Sequence, residues 1–125
     1  MAQVVSPLGF IQTGRDLVVG TSDAAVTQGT SATTTVVLNA LAGRVTLFEV
    51  KEAKSVHSSF TITDARVKST SVILLSLVYA TAGAGEPFAR LSSVADGSFV
   101  VSICNGSTAA ACDQATGVLH YLVIN

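Results

Sequence analysis

Continuous and alternating apolar positions divide the chain into short strands. The longest near-continuous apolar run, residues 71–81, is much shorter than the roughly 20 residues that a membrane-spanning helix needs. Its β-branched residues and the glycines that follow it favour a strand over a buried helix. The apolar positions of its two faces are Val72, Leu74 and Val78 on one side and Ile73, Leu75, Leu77 and Tyr79 on the other. Because both faces are apolar, we predict that a second sheet covers one face and a neighbouring subunit the other.

Six further segments have the length and pattern of strands: residues 33–38, 44–50, 56–63, 88–94, 98–104 and 118–124. In residues 56–63 the alternation is clearest, because Phe60 and Ile62 fall on one side and His57 and Thr61 on the other. Asp96-Gly97 predicts a tight hairpin turn. Strands at this spacing, without a helical period, predict an all-β fold. We expect an antiparallel β-sandwich or jelly-roll-like arrangement of about seven to eight strands with no substantial helix.

The first quarter of the chain has a different pattern. Residues 1–30 are predicted to be an N-terminal arm and linker, and residues 31–125 a β-sandwich oligomerisation domain. Residues 21–32 are rich in Thr, Ser, Asp and Gly, which is typical of a loop. Two apolar patches lie in the arm and could either dock on a partner or cap the domain's own core. They are Phe10 with Ile11, and Leu17 with Val18 and Val19.

The composition predicts that the protein works in an assembly. The chain is 49% hydrophobic but only 12% charged, with a formal net charge of −1, whereas a typical soluble domain is about 25% charged. We therefore expect a homo-oligomer that buries much of the apolar surface. Basic and acidic residues are interspersed, so no nucleic-acid partner is expected. Residues 1–12 lack a secretory signal pattern, so we expect synthesis in a cytosol, and no membrane partner.

No catalytic or metal motif stands out. His57 and His120 are the only histidines, and no cluster of His, Cys, Asp and Glu has metal-ligand spacing. No Gly-x-Ser-x-Gly elbow or Gly-rich phosphate loop occurs. We therefore expect neither an enzyme nor a cofactor.

Cys104 and Cys112 flank a seven-residue segment. A disulfide between them would stabilise the fold by about 2–3 kcal/mol if the segment is a hairpin. The thiols are expected in a cytosol and a disulfide in a particle released from the cell, so both states stay open. Asn105-Gly106-Ser107 matches a glycosylation sequon, but without a secretory signal we interpret it as a turn.

Several stretches resemble a group of small virion structural proteins of tailed bacteriophages. They are Val26-Thr27-Gln28, the Thr-rich segment ending in Val36-Val37-Leu38-Asn39, Gly43-Arg44-Val45-Thr46, Ser59-Phe60-Thr61-Ile62-Thr63, Gly97-Ser98-Phe99 and the apolar C-terminus. The resemblance covers about the last four-fifths of the chain. Residues 51–54 and the segment between the cysteines do not belong to the pattern.

The resemblance implies a β-rich head decoration, or cement, protein on the outer capsid, made in the host bacterial cytoplasm and located in the virion. It implies a homo-oligomer, with a trimer favoured and a dimer possible, bound to the major capsid protein. The arm patches, Phe10, Ile11, Leu17, Val18 and Val19, are the capsid-docking candidates. The oligomer-interface candidates are Leu75, Leu77, Tyr79, Leu119 and Tyr121. The alternative is a fibre or knob protein whose loops at residues 83–87 and 106–114 contact host-surface glycan.

Overall fold

A computed structural model describes residues 24–53, 55–79, 84–112 and 117–125 in full, and the backbone of three strands that precede them. Those three strands are β1 (Val4–Val5), β2 (Phe10–Thr13) and β3 (Asp16–Val19). They pair antiparallel with one another in the order β1-β2-β3. They form a sheet separate from the two larger ones.

Eight strands form two four-stranded sheets, and no described residue is helical. The first sheet has the order β4-β6-β11-β8 and the second the order β5-β7-β10-β9. Their bounds are β4 Ala25–Thr27, β5 Val36–Val37, β6 Ala42–Thr46, β7 His57–Thr63, β8 Val72–Tyr79, β9 Pro87–Ala95, β10 Ser98–Asn105 and β11 Gly117–Ile124. Within the described residues, no helix is long and apolar enough to span a membrane.

Both sheets are mixed. β4 pairs parallel to β6, and β5 pairs parallel to β7, while the other pairings are antiparallel. The prediction of an all-β fold is confirmed, but the prediction of purely antiparallel pairing is wrong at these two edges. Residues 25–27, predicted as loop, form strand β4, which lies before the predicted start of the body at residue 31.

One hydrophobic core draws on both sheets. Phe60, Ile62, Phe99, Val101 and Ile103 come from the second sheet and are buried, as the alternation predicts. Val45, Leu119, Tyr121 and Val123 come from the first sheet. The rings of Phe99 and Tyr121 meet edge to face, with centroids 5.2 Å apart.

Two turns fix the register of the neighbouring strands. Gly97, with φ +84°, completes the predicted Asp96-Gly97 hairpin, and Ala95 pairs with Ser98 across it. Asn105 is buried, and its side-chain oxygen accepts hydrogen bonds from the backbone N–H groups of Glu86 and Ser107 at 3.1 and 3.0 Å. Its amide donates to the Ala110 carbonyl at 2.8 Å. The sequon asparagine is therefore the centre of a turn, as interpreted from the sequence.

Candidate functional site

The outward side of β8 and β11, two strands of the first sheet, is largely apolar. Val72, Leu74 and Val78 on β8 are 56%, 52% and 56% exposed. Val118, Leu122 and Ile124 on β11 are half-buried and lie beside them in register. We call these six residues the outer apolar face.

Cross-strand pairing arranges this face in rows. Val72 pairs with Ile124, Leu74 with Leu122, and Val78 with Val118. A polar row crosses between them, because Ser76 pairs with His120 and His120 pairs with Arg44 of β6. A shallow depression of about 190 Å³ lies beside this row, lined by Leu74, Leu75, Ser76, His120, Tyr121 and Leu122. The face thus combines apolar area with a narrow band of hydrogen-bonding groups.

The five predicted interface residues lie on the inward side of the same sheet. Leu119 and Tyr121 are 0% and 3% exposed and belong to the core. Leu75 and Leu77 are half-buried and pack against that core, and Tyr79 alternates with the exposed Val78. The alternation of β8 was predicted correctly. The residues that point outward, however, are Val72, Leu74 and Val78, and not Leu75, Leu77 and Tyr79. Ser76 is exposed, so it does not need a buried hydrogen-bond partner.

The outward side of the second sheet is different, because it carries hydroxyl groups. The Ser59 and Ser102 hydroxyls are hydrogen bonded at 2.7 Å, and Ser92 is hydrogen bonded to Ser102 as well. Thr61 and Thr63 follow along β7. The two outward faces therefore differ in chemistry. Exposed large hydrophobic residues are Val72, Leu74 and Val78 on the first sheet, and Val37 and Phe88, beside the hydroxyls, on the second.

The capsid-docking candidates are on the N-terminal strands. Phe10 and Ile11 lie on β2, and Leu17, Val18 and Val19 lie on β3. Their side chains lie outside the described residues.

Both cysteines are buried free thiols. Cys112 packs in the core, whereas Cys104 alternates with the core residue Ile103 on β10 and so faces the other side of the strand. Burial raises the pKa of the Cys112 thiol, and the nearby charge of Glu52 raises it further, against a hydrogen bond with the backbone of Glu86. A raised pKa lowers the thiolate fraction and with it the reactivity of Cys112.

A second, polar site lies at the segment that joins β6 to β7. A pocket of about 250 Å³ is lined by Ala32, Glu49, Lys51, Glu52, Ala53, Val56, His57 and Ser58. Glu52 is only 6% exposed, and its Oε1 accepts a hydrogen bond from the Ser58 hydroxyl at 2.5 Å. Its Oε2 is buried without a hydrogen-bond partner. Sequence reasoning missed this site, because Lys51 and Glu52 look like part of an ordinary polar connection.

Neither site has the geometry of a metal centre. In the part of the chain that the structure describes, no three His, Cys, Asp or Glu side chains are placed to hold a metal ion. Comparison with known proteins found no matching family model, no similar curated protein and no similar solved structure. The function is therefore proposed from the chain's own residues, from their geometry and from the sequence resemblance.

Proposed function

We propose that this protein is a homo-oligomeric structural protein of a bacteriophage virion, and specifically a head decoration protein that stabilises the capsid. The observation that carries the proposal is the outer apolar face, which a protein working alone in water would not be expected to leave uncovered. The phage assignment rests on the sequence resemblance. The shared core of the two sheets supports a β-sandwich as the unit that assembles.

A second copy of the chain is the occupant we propose for the outer apolar face. β8 and β11 each have eight residues. At about 3.3 Å per residue and about 4.8 Å between strands, these two strands present a footprint on the order of 250 Å². A standard interface buries roughly 800 Å² of accessible surface on each partner. The whole face, with its side-chain relief, is therefore needed for a stable contact, which favours sheet-on-sheet packing over a contact at one corner.

The charge distribution agrees with self-association. All eight residues of β8 are uncharged, and β8 forms one edge of its sheet. Edge strands that must stay single usually carry charges or proline. Homo-oligomers with closed symmetry are the common way to bury such a surface, and the resemblance favours a trimer. Contacts of this kind would raise the free energy needed to separate capsid subunits.

Substitution of Val78 by Asp tests this proposal. The side chain is 56% exposed, so the fold should tolerate the change, but a carboxylate in a buried interface has no partner. We expect the oligomer to dissociate at least tenfold more readily, measured by light scattering after size exclusion over a dilution series.

Val37→Asp is the matched control. Val37 is 60% exposed and lies on β5, at the edge of the second sheet. It should leave both the fold, read by circular dichroism, and the oligomer unchanged. A wild-type protein that is monomeric at every concentration, or a Val78→Asp variant that assembles like the wild type, would contradict the proposal.

A receptor-binding fibre tip is the second candidate, and one observation favours it. Phe88 is 47% exposed and lies beside Gly106, because a Cβ added to that glycine would be 3.4 Å from the Phe88 ring. Phe88 lies at the start of β9, and an exposed aromatic ring beside a loop is a feature that sugar sites use. Copy number separates the two functions, because a decoration protein is present in hundreds of copies per virion and a fibre tip in a few dozen or fewer.

A further inference from the structure

The polar pocket contains a buried carboxylate oxygen, Oε2 of Glu52, that has no hydrogen-bond partner among the described residues. At the pocket's rim, Glu49 and Lys51 form an ion pair with 3.5 Å between the carboxylate oxygen and Nζ. The charges of Glu49 and Lys51 therefore neutralise each other. Glu52 lines the same pocket, and within the part of the chain that the structure describes its side chain has one hydrogen bond, from the Ser58 hydroxyl to Oε1.

The chain fixes Glu52 firmly in this position. Its backbone carbonyl accepts hydrogen bonds from the Cys112 N–H at 2.9 Å and from the Asn105 amide at 3.4 Å. These contacts fix the backbone of Glu52 against the turn after β10, and the Ser58 hydroxyl holds its side chain through Oε1. A buried carboxylate oxygen without a donor costs several kcal/mol relative to one that is paired. Such a group in a native protein calls for an explanation, and a donor that enters from outside the chain, such as water or a bound ion, supplies one.

From this arrangement we infer that the pocket binds a single organic cation, an alkylammonium or guanidinium group, whose N–H donates to Glu52. The lining carries two carboxylates against one lysine, so a monocation completes its charge balance. The volume of about 250 Å³ admits a small group such as the end of a lysine or arginine side chain or of a polyamine. The inference is independent of the virion role.

A titration of the full-length protein with n-propylammonium chloride, followed by amide NMR shifts at constant ionic strength, tests the inference. We expect saturable shifts of residues around the pocket. Tetramethylammonium has the same charge but no N–H, so it should produce no saturable shift. Equal responses to the two cations, or no saturable response to propylammonium, would overturn the inference.

Variants locate the binding group. Glu52→Gln keeps the size but removes the charge, and it should weaken propylammonium binding at least tenfold. Glu86→Gln removes a charge from an exposed residue outside the pocket lining, and it should bind like the wild type. Ser58→Ala keeps the carboxylate and should still bind, so the test survives if Glu52→Gln does not fold. Unchanged affinity in a folded Glu52→Gln variant, or lost binding in a folded Ser58→Ala variant, would contradict the assignment.

The cation could be free or could belong to a neighbouring protein, and carbodiimide coupling separates these sources. Coupling of Glu52 to a lysine of a second copy, identified by peptide mass, would support the site and name a side chain as its ligand. Coupling to added putrescine alone would support the site and name a free amine. Coupling that is equally efficient with the Glu52→Gln variant would show that the reaction occurs elsewhere and count against the site.

Discussion

At the scale of single residues, Asp64 shows how a buried charge is accommodated. It is fully buried, and its carboxylate accepts hydrogen bonds from the backbone N–H groups of Arg66 at 2.9 Å and Ala40 at 3.3 Å. The Tyr121 hydroxyl donates to the Leu38 carbonyl at 2.9 Å and lies 3.3 Å from Asp64 Oδ2. Because Tyr121 belongs to β11 and Asp64 follows β7, this network connects the two sheets.

Tyr121→Phe is expected to lower the free energy of unfolding by about 1–3 kcal/mol. The ring and its packing against Phe99 remain, but the Leu38 carbonyl loses the hydroxyl donor and Asp64 Oδ2 loses a polar neighbour 3.3 Å away. Urea denaturation measures the change. Tyr79→Phe is the matched control, because in the described part of the chain the Tyr79 hydroxyl has no hydrogen-bond partner, and it should change stability by less than 0.5 kcal/mol or so. An equal loss in both variants would contradict the role of the network.

The same network sets a pH dependence. Burial raises the pKa of Tyr121, and the charge of Asp64 and its hydrogen bond raise it further. The folded state therefore holds the phenol proton more tightly than the unfolded state, whose pKa is about 10. This contribution is fully present below about pH 10 and is lost as the pH rises above it. The stability difference between wild type and Tyr121→Phe should shrink between pH 8 and pH 11.

Residue patterns predicted the faces of strands but not which face of β8 points outward. Both faces are apolar, so alternation alone cannot choose between Leu74 and Leu75. In the structure the inward residues of β8 include Ile73, which belongs to the core, and Leu75 and Leu77, which pack against it. Glu52 was missed for a related reason, since its burial arises from contacts with Asn105 and Cys112 that are distant in sequence.

At the scale of elements, β9 contains an irregularity in its pairing with β10. Val100 of β10 pairs with Ser93, but Val101 pairs with Leu91, so Ser92 has no partner across the ladder. This is a β-bulge, and it lets Leu91 and Val94 both pack against the core although three positions separate them. It also directs the Ser92 hydroxyl to Ser102.

Deletion of Ser92 is therefore expected to leave a folded protein. Leu91, Ser93 and Val94 would then alternate regularly, and the expected cost is the lost serine hydrogen bond, about 1–2 kcal/mol. Deletion of Thr61 is the control, because it makes the buried Phe60 and Ile62 adjacent and turns one of them outward. Circular dichroism and urea denaturation should show the first variant folded and the second unfolded. Loss of folding on deletion of Ser92 would contradict this view of the bulge.

Elements that are long and locally patterned were predictable, and those that depend on distant partners were not. All seven predicted strands are present, with the first two shortened. β4 was missed because it has three residues within a polar stretch and depends on its parallel pairing with β6. The parallel pairing of β5 with β7 has no local signal either, because it joins strands that are separated by β6 in sequence.

At the scale of the whole molecule, the two outward faces divide the surface by chemistry. The first sheet presents the outer apolar face, and the second presents Ser59, Ser92 and Thr61. If the outer apolar face is covered in an oligomer, the hydroxyl-bearing side of the second sheet stays in contact with water, which suits the outside of a particle. The N-terminal strands pair only with one another and precede β4, so they form a separable element that could attach the oligomer to a shell.

Deletion of residues 1–20 tests that division of roles. The deletion removes β1, β2 and β3 but spares β4, which begins at Ala25, so both four-stranded sheets keep all their strands. We expect circular dichroism and light scattering to show a folded oligomer of the same subunit number. The same protein should no longer sediment with capsids that lack the native decoration protein, because the docking candidates have been removed. Val78→Asp provides the converse case, since it keeps the arm and should bind shells as separate subunits with lower avidity. Decoration of shells by the truncated protein would show that the body, and not the arm, makes the capsid contact.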